Sequence, residues 1–580
     1  MTTNDNNSEP RRGVPCITAG DACEPADTAS ADTTSAACEP VAATSAAISI
    51  LILVLVCFLG CNYGTATCIN DVSQVSQWRQ FCIRGVAAGV ALAVAMLMRK
   101  RRSGIRYAIE ASIIAVCTVE AAYSILQLYG LLPSFHSLFK LTGSFYNPGP
   151  LGGYIAMGLP IAVDMLLGIS RRPLGTPTSK IIRCALYASL SIMAMALPST
   201  MSRTAWVAAA VSVTYVLCGR GRIQPIISKT GIRPRILAMA SAVLAVAAGI
   251  LLWHIKRDSA MGRLLLWKIS WRAIMDSPIS GHDSFAEAYG LAQENYFAQG
   301  GATEAERLVA GSPDYAFNEY LQIGVEYGLP VLAAVAGLLI ITVLRSWRHK
   351  TFGLSGAVLA FMVFAFAGYP LHLPAFVAVL LLSLLGIWFC GADGKMSAWP
   401  VMAVVIVWTG ISALYIKPYT QKERPLVQWS KMQFLYHNKQ YHAVADRYAA
   451  ILGDMLWNGR FLYEYGHSLF KIKKYEESIP VLEQAVMQSA DPMILNIIGE
   501  CHQALGKYQE AENYYRRAAL RIPCRLYPHY LLYFLYCEPG FQNDSLRRQE
   551  YHQVMTLEIK KESPATRDLR RKVKEREAEF

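Results

Sequence analysis

Apolar runs recur along most of this chain, and they are candidates to cross a hydrocarbon core about 30 Å thick. They lie near 41–61, 82–98, 107–130, 150–169, 181–198, 204–218, 236–254, 329–344, 352–368, 374–391 and 397–415. Backbone amides find no water inside a bilayer, so spanning segments of this kind are helices. Charged residues make up only 17% of the chain, well below their share in soluble proteins. The pattern predicts an all-α polytopic membrane protein with about eleven spans.

The short loops between these runs alternate in charge, and this alternation predicts their orientation because Lys and Arg are retained on the cytoplasmic side. The basic clusters lie on one side, at 99–106, 171–183, 219–235, 345–350 and Lys395. With an odd number of spans, the N-terminus is predicted to be cytoplasmic and the C-terminal region external. The net charge of +13 is then mainly a topology signal, and nothing in it indicates nucleic-acid binding.

The membrane domain is predicted over 41–416, and its longest polar stretch lies at 255–328 on the external side. This stretch is rich in Arg, Trp, Tyr and carboxylates, so it is where hydrophilic substrates can meet side chains. Residues 1–40 have almost no large apolar side chains to offset chain entropy, and they are predicted to form a disordered cytoplasmic tail. Residues 541–580 are predicted to form a charged helical tail.

A repeat follows the last apolar run. Its recurring positions are Tyr441, Tyr475 and Tyr508, at steps of 34 and 33 residues. Gly466 and Gly499, which are 33 residues apart, are predicted to recur at the tight helix-packing position of the repeat. Over about 427–540 this pattern resembles tetratricopeptide repeats, helix-turn-helix units that bury their apolar faces against their neighbours. Such a solenoid suits the docking of a protein partner, and it equally suits a structural lid or a dimerisation module.

Two arginines on the predicted external face are candidate anion ligands. Arg263 and Trp267 lie one helical turn apart in GRLLLW (262–267), where the segment can lie in the membrane interface. A guanidinium suits a diphosphate because its planar fork donates two parallel charge-assisted hydrogen bonds. Arg203 lies between two spans and needs an anionic partner. The alternatives are a snorkelling Arg263 and an Arg203 that pairs with Glu120 in the third span.

The polar stretch ends in FNEYLQIGVEYGLP (317–330), which leads directly into a span. Asn318, Tyr320 and Gln322 alternate with apolar residues, and Asn318 and Gln322 lie one turn apart on the same face of a helix. The segment therefore predicts a polar stripe that enters the membrane, and it is equally typical of the start of an interfacial helix.

Five motifs, in this order within 45–410, together resemble the O-antigen ligase and polymerase superfamily of lipid-linked-glycan transferases. They are GSFYNPGPLGGY (143–154), SRTAW (202–206), GRLLLW (262–267), the PxxG step at 278–281 and NEYLQIGVEYGLP (318–330). The resemblance implies a GT-C-like helix bundle in a bacterial inner membrane, with the long loop and the repeats in the periplasm. It also implies metal-independent, inverting transfer of a saccharide from undecaprenyl diphosphate to an acceptor hydroxyl, without a cofactor.

Carried over motif by motif, the resemblance assigns Arg203 and Arg263 to the donor diphosphate and aligns Asn318 with the asparagine of the family's His-Asn pair. The predicted substrate-binding set is Arg203, Asn147, Trp267, Asn318, Tyr320 and Gln322. At the position of the family's histidine this chain has Phe317. The family motif therefore does not supply a general base in this chain.

A base has to reach the acceptor hydroxyl within hydrogen-bond range. His282 and Glu319 are the nearest candidates, with Asp283 third, so the predicted catalytic set is Arg263, His282 and Glu319. Departure of the diphosphate and positioning of the reactants also lower the barrier, so a reaction without a base remains an alternative.

The leading functional hypothesis is a membrane glycosyltransferase that acts on a lipid-linked glycan. Three acceptors fit it: lipid A core in ligation, a growing chain in polymerisation, and a Ser or Thr hydroxyl of a protein in O-glycosylation. The alternative from another class is a transporter or a non-catalytic membrane scaffold that recruits envelope partners through its repeats. A transporter would use charges near the membrane midplane, where the sequence places Glu120 and Asp164.

Overall fold

The computed structural model describes residues 71–98, 103–134, 136, 138–169, 177–223, 225, 257–389 and 398–580. The described residues form α-helices and short 3-10 turns and contain no strand. This confirms the predicted all-α class. The predicted tail at 1–40 and the apolar runs near 41–61 and 236–254 lie outside the described residues.

The described chain up to residue 437 is dominated by long apolar helices. They are α1 (Asp71–Met98), α2 (Ser103–Leu128), α3 (Pro148–Ile169), α4 (Pro177–Ser199), α5 (Arg203–Gly219), α9 (Glu319–His349), α10 (Phe352–Ala365), α11 (Pro374–Phe389) and α12 (Ala398–His437). Within the described ranges, five helices are long and apolar enough to cross a membrane, and three further apolar helices are shorter. The polytopic helical class is confirmed, and the number of eleven spans stays a prediction.

Helix α3 lies at the centre of the membrane bundle, and its first two thirds are buried. It packs against α2, α5 and α10. Close approach depends on small residues: a side chain at Gly158 of α3 would collide with Cys117 of α2, and one at Gly356 of α10 would collide with Pro160. The bundle therefore holds the N-terminus of α5, which carries Arg203, close to the end of α10.

The polar stretch at 255–328 folds largely into helices, and we call residues 257–318 the loop domain. Its helices are α6 (Arg257–Asp276), α7 (Phe285–Ala298) and α8 (Glu304–Val309). Their apolar faces share a core that includes Ile269 and Tyr289, and Ile522 from the repeats joins the same core. Ser284 and Thr303 cap the starts of α7 and α8. The polar stretch thus forms a folded domain.

Backbone hydrogen bonds join the segment after α6 to the first turns of α9. Leu329 N donates to Pro278 O at 2.8 Å, and His282 N donates to Val325 O at 2.8 Å. Helix α9 is interrupted at Gly328, which has a φ of 80°. A Cβ there would also collide with the carbonyl of Ile279, so only glycine fits this close approach. The PxxG step at 278–281 therefore packs against the start of α9.

The C-terminal part is a row of helix pairs that begins at the end of α12. Its helices are α13 (Tyr441–Ala449), α14 (Leu452–Met455), α15 (Gly459–Lys471), α16 (Tyr475–Gln488), α17 (Pro492–Ala504), α18 (Tyr508–Arg521), α19 (Leu526–Leu535), α20 (Asp544–Thr556) and α21 (Pro564–Glu577). Gly466 lies against Leu482 and Gly499 against Tyr515, with no room for a side chain in either place. These contacts confirm the tight helix-packing position predicted for both glycines.

Candidate functional site

Arg203 and Arg263 meet where two cavities adjoin. The first cavity has a volume of about 610 Å³, and Phe317 and Tyr369 form part of its lining. The lining mixes polar side chains, such as Asn147, Thr200 and Lys140, with apolar ones, such as Leu138, Phe139 and Phe364. The second has a volume of about 740 Å³ and is lined mainly by apolar residues of α5, α6 and α10. Both arginines line both cavities. Two segments separated by some sixty residues in sequence thus form one cationic site.

The guanidinium of Arg263 is held in an unusual environment for a cation. Burial lowers its pKa, and the neighbouring charge of Arg203 lowers it further. Its Nη1 donates to the carbonyl of Ala367 at 3.3 Å, and its Cζ lies 5.9 Å from the ring centroid of Phe317. The residues that line the two cavities include no carboxylate. An anion bound between the arginines would relieve this like-charge repulsion.

The second cavity is a groove with apolar walls. Val207 of α5 and Leu359 and Phe366 near α10 line it, and Trp267 packs edge-on against Phe366 with ring centroids 5.3 Å apart. The indole N–H of Trp267 is buried without a hydrogen-bond acceptor among the described residues. A buried donor without a partner is costly, so this N–H is available to an acceptor oxygen of a ligand. Tyr320, also in the lining, donates its hydroxyl to the carbonyl of Met362 at 2.9 Å.

Glu120 anchors the segment that brings Asn147 to the first cavity. Its Oε1 accepts a hydrogen bond from the Ser144 hydroxyl at 2.6 Å, and its Oε2 accepts one from Ser144 N at 3.1 Å. Gln127 accepts bonds from the next two backbone amides toward the N-terminus, those of Gly143 and Thr142. Asn147 lines the cavity and hydrogen-bonds to Tyr369. Glu120 thus has a structural role in holding this segment.

The polar side chains at the start of α9 form hydrogen bonds mostly within the protein. Asn318 Oδ1 caps the helix by accepting bonds from Tyr320 N at 3.0 Å and Leu321 N at 3.2 Å. Gln322 accepts a bond from Ala316 N at 2.8 Å. Both side chains are buried, and neither lines the two cavities. They fix the turn that carries Phe317.

Phe317 adopts a left-handed backbone conformation with a φ of 46°. A bulky residue seldom adopts this conformation, which persists only where the surrounding structure imposes it. Its ring forms part of the wall of the first cavity, between Arg263 and Tyr369, whose ring centroid is 5.6 Å away. The residue that the motif resemblance aligns with the family's histidine is therefore part of an aromatic wall.

The other predicted base candidates lie apart from the arginines. His282 has one ring nitrogen 2.9 Å from the carbonyl of Ala273, and it lines neither cavity. Glu319 is buried and accepts a bond from Leu371 N at 2.6 Å.

Sequence reasoning missed Tyr369 and His372. The available signal was their position in a short loop, 369–374, on the same predicted side of the membrane as the arginines.

Comparison with known proteins supports the motif resemblance. Residues 188–336 match the family model described as O-Antigen ligase, and residues 459–492 and 494–523 match that of the tetratricopeptide repeat. No curated protein matches the chain. The first match contains Arg203, Arg263 and the start of α9.

The fold and the site define a polytopic helical membrane protein with a cationic cavity at one end of its bundle. The matches to an O-antigen ligase domain and, after it, to tetratricopeptide repeats agree with the family resemblance that the motifs predicted. This family implies a membrane enzyme that transfers a glycan, and a location in the bacterial inner membrane.

Proposed function

We propose that the protein transfers a glycan from an undecaprenyl-diphosphate carrier to an acceptor hydroxyl on the periplasmic side of the membrane. The observation that carries this proposal is the placement of Arg203 and Arg263 between an apolar groove and a first cavity that also contains polar side chains. A lipid-linked glycan has a matching order of parts, with its diphosphate between a polyprenyl chain and a saccharide. The polyprenyl chain would lie in the groove and the saccharide in the first cavity.

In this reaction the acceptor oxygen attacks the anomeric carbon, and the bond from that carbon to the diphosphate breaks with inversion. Negative charge develops on the leaving oxygen, where Arg203 and Arg263 would stabilise it through charge-assisted hydrogen bonds. The N–H of Trp267 would donate a further bond. Because these donors are already fixed by packing, they need no reorganisation when the charge develops. In the proposed mechanism guanidinium groups neutralise this charge without a metal ion.

The orientation in the membrane is part of the proposal. The basic clusters at 99–106, 171–183 and 345–350 favour one face as cytoplasmic. The cationic cavities then face the periplasm, together with the loop domain and the repeats.

The test is glycan transfer by the full chain in proteoliposomes supplied with an undecaprenyl-diphosphate-linked oligosaccharide. Arg203→Ala and Arg263→Ala are each expected to lower transfer by about 10²–10³, the usual loss when one donor to a developing oxyanion is removed. Arg272→Ala is the matched control, because Arg272 lies on the same helix as Arg263 and bonds to Gln299 outside both cavities. Transfer by both cavity variants at the wild-type rate would refute the assignment.

A protein hydroxyl is the acceptor that one further observation favours. The repeats pack directly on the loop domain: Arg521 and Arg517 of α18 both form ion pairs with Glu294 of α7. A protein docked on the repeats would therefore lie next to the domain that contributes Arg263. Lipid A core and a growing glycan are the competing acceptors. Supplying each acceptor separately to the same proteoliposomes distinguishes the three, and no transfer to any of them would favour a scaffold role.

A further inference from the structure

His372 is a histidine next to the cationic site that the reaction proposed above does not use. It ends the 3-10 turn Pro370–His372, three residues after Tyr369, which lines the first cavity. Its Nδ1 is buried without a hydrogen-bond partner in the described structure and lies 3.5 Å from Oε1 of Glu319. Catalytic hydrogen bonds are often long in unliganded sites and shorten when substrate binds.

His372 and Glu319 have the geometry of an imidazole oriented by a carboxylate. The side chain of Glu319 is only 3% exposed, and its Oε1 is fixed by the bond from Leu371 N. The side chain of His372 is 25% exposed, so another molecule can reach it. A carboxylate beside Nδ1 holds the proton on that nitrogen and leaves Nε2 to accept one. Glu319 would also stabilise the imidazolium that forms.

His372 lines neither cavity, but a series of ring contacts connects it to Arg263 through residues of the cavity wall. The ring of His372 lies 4.5 Å from that of Tyr315, which stacks on Tyr369 at 5.2 Å. Tyr369 contacts Phe317, and Phe317 faces Arg263. An inverting displacement needs the attacking hydroxyl opposite the leaving group, so a base separated from the arginines by these aromatic rings can serve the acceptor side.

The neighbouring groups are poorer bases. Burial raises the pKa of the Tyr369 hydroxyl, and its neighbour Tyr315 raises it further, so the phenolate is disfavoured. Glu319 is turned toward Leu371 N and is almost fully buried. One ring nitrogen of His282 lies 2.9 Å from the backbone carbonyl of Ala273 and is therefore engaged within the protein.

We propose that His372 is the general base for the acceptor hydroxyl and that Glu319 is its positioning residue. His372 would thus take the role of the family's histidine, whose position is occupied by Phe317 in this chain. The inference rests on the proposed function. The acceptor O–H proton moves to Nε2 as the oxygen bonds to the anomeric carbon, and the electrons of the breaking carbon–oxygen bond leave with the diphosphate.

Azide separates a missing base from a damaged donor site. It attacks carbon without losing a proton, so formation of a glycosyl azide needs the arginines but no base. The experiment measures two products from the full chain in proteoliposomes: transfer to a hydroxyl acceptor, and glycosyl azide formed with sodium azide. The variants are His372→Ala, Glu319→Gln, His282→Ala and Arg263→Ala. His349→Ala, in a basic cluster remote from the cavity lining, is the matched histidine control.

His372→Ala is expected to lower hydroxyl transfer by about 10²–10⁴, the usual contribution of a general base, while azide transfer stays near the wild-type rate. Glu319→Gln should show a smaller loss with the same selectivity, because it keeps an oxygen for Leu371 N but loses the charge. Arg263→Ala should lose both products.

Several results would overturn the proposal. Full hydroxyl transfer by His372→Ala would do so, as would equal loss of both products in that variant. A selective loss in His282→Ala alone would assign the base to His282. If the wild-type chain forms neither product, the proposed function itself fails. That result is distinct from the others, in which the wild-type chain is active.

Discussion

Replacing Arg521 with Met is expected to loosen the contact between the repeats and the loop domain. The Arg521 side chain is 1% exposed, and its Nε donates to Glu294 Oε1 at 2.5 Å. Burial lowers the pKa of Arg521, whereas the charge of Glu294 raises it. Arg517 also bonds to Glu294, at 3.1 Å, and Gly290 of α7 leaves room for the Arg521 guanidinium. The pair is therefore a desolvated ion pair between two domains.

The loss of stability depends on which of the two charged side chains stays buried without its partner. Removing one partner of a buried ion pair costs about 3–5 kcal/mol, whereas replacing both partners with apolar residues is often nearly neutral. Arg517 still neutralises Glu294 in Arg521→Met, so we expect about 2–3 kcal/mol for that variant. Glu294→Met leaves the buried Arg521 unneutralised and should cost about 3–5 kcal/mol. The double variant should cost about 0–2 kcal/mol, far less than the sum of the single variants.

Amide hydrogen exchange of the full chain in lipid nanodiscs measures these differences locally. A loss of about 2–3 kcal/mol corresponds to exchange roughly 30–140 times faster in helices α7 and α18. Arg516→Met is the matched control, because Arg516 pairs with Glu512 within its own helix. The exchange rate in the double variant could instead rise by the product of the fold increases in the two single variants. The two charges would then act independently, and the predicted coupling between Arg521 and Glu294 would be wrong.

Two further predictions concern local packing and charge. Burial raises the pKa of Glu306, but hydrogen bonds, led by the one from Lys268, outweigh it and lower the pKa to about 2. This stabilisation is complete above the ordinary value of 4.5 and is lost as pH falls toward 2, so exchange protection in Glu304–Val309 should decline over that range in wild type but not in Glu306→Gln. Gly499→Ala should cost about 1–3 kcal/mol by overpacking, measured as a lower melting temperature of the repeats. Gly453→Ala, at a position with open space, is its control, and equal melting temperatures would contradict the prediction.

The fold was largely accessible from the sequence because its signals are periodic. Long apolar runs predicted helices, and the spacing of Gly466 and Gly499 predicted positions that the structure shows to be tightly packed. The count of spans was less accessible, since length and composition alone qualify five described helices. In the loop domain the helical spacing of Arg263 and Trp267 anticipated α6, whereas α7 and α8 were missed because the burial of this domain depends partly on contacts with the repeats that no local pattern shows.

The candidate site could be predicted only partly from the sequence. The motifs singled out Arg203 and Arg263, and the structure brings them to the same cavities, although their roles stay predictions. Asn318 and Gln322 looked like a ligand-facing stripe, but their hydrogen bonds go to nearby backbone amides or side chains. The direction of a polar side chain depends on the hydrogen-bond donors and acceptors around it. These neighbours are set by the tertiary structure and cannot be read from the local sequence. His372 was missed for the same reason, because Glu319 approaches it from a separate segment.

Helix α12 is continuous over 40 residues, from the last apolar run into the repeats. At a rise of about 1.5 Å per residue it extends for roughly 60 Å. The repeats are thus attached to the membrane domain twice, through this helix and through the loop domain. A molecule held on the repeats would be confined near the cationic site, and its local concentration there would depend on this geometry and not on its bulk concentration. Weak binding to the repeats would then suffice to select an acceptor.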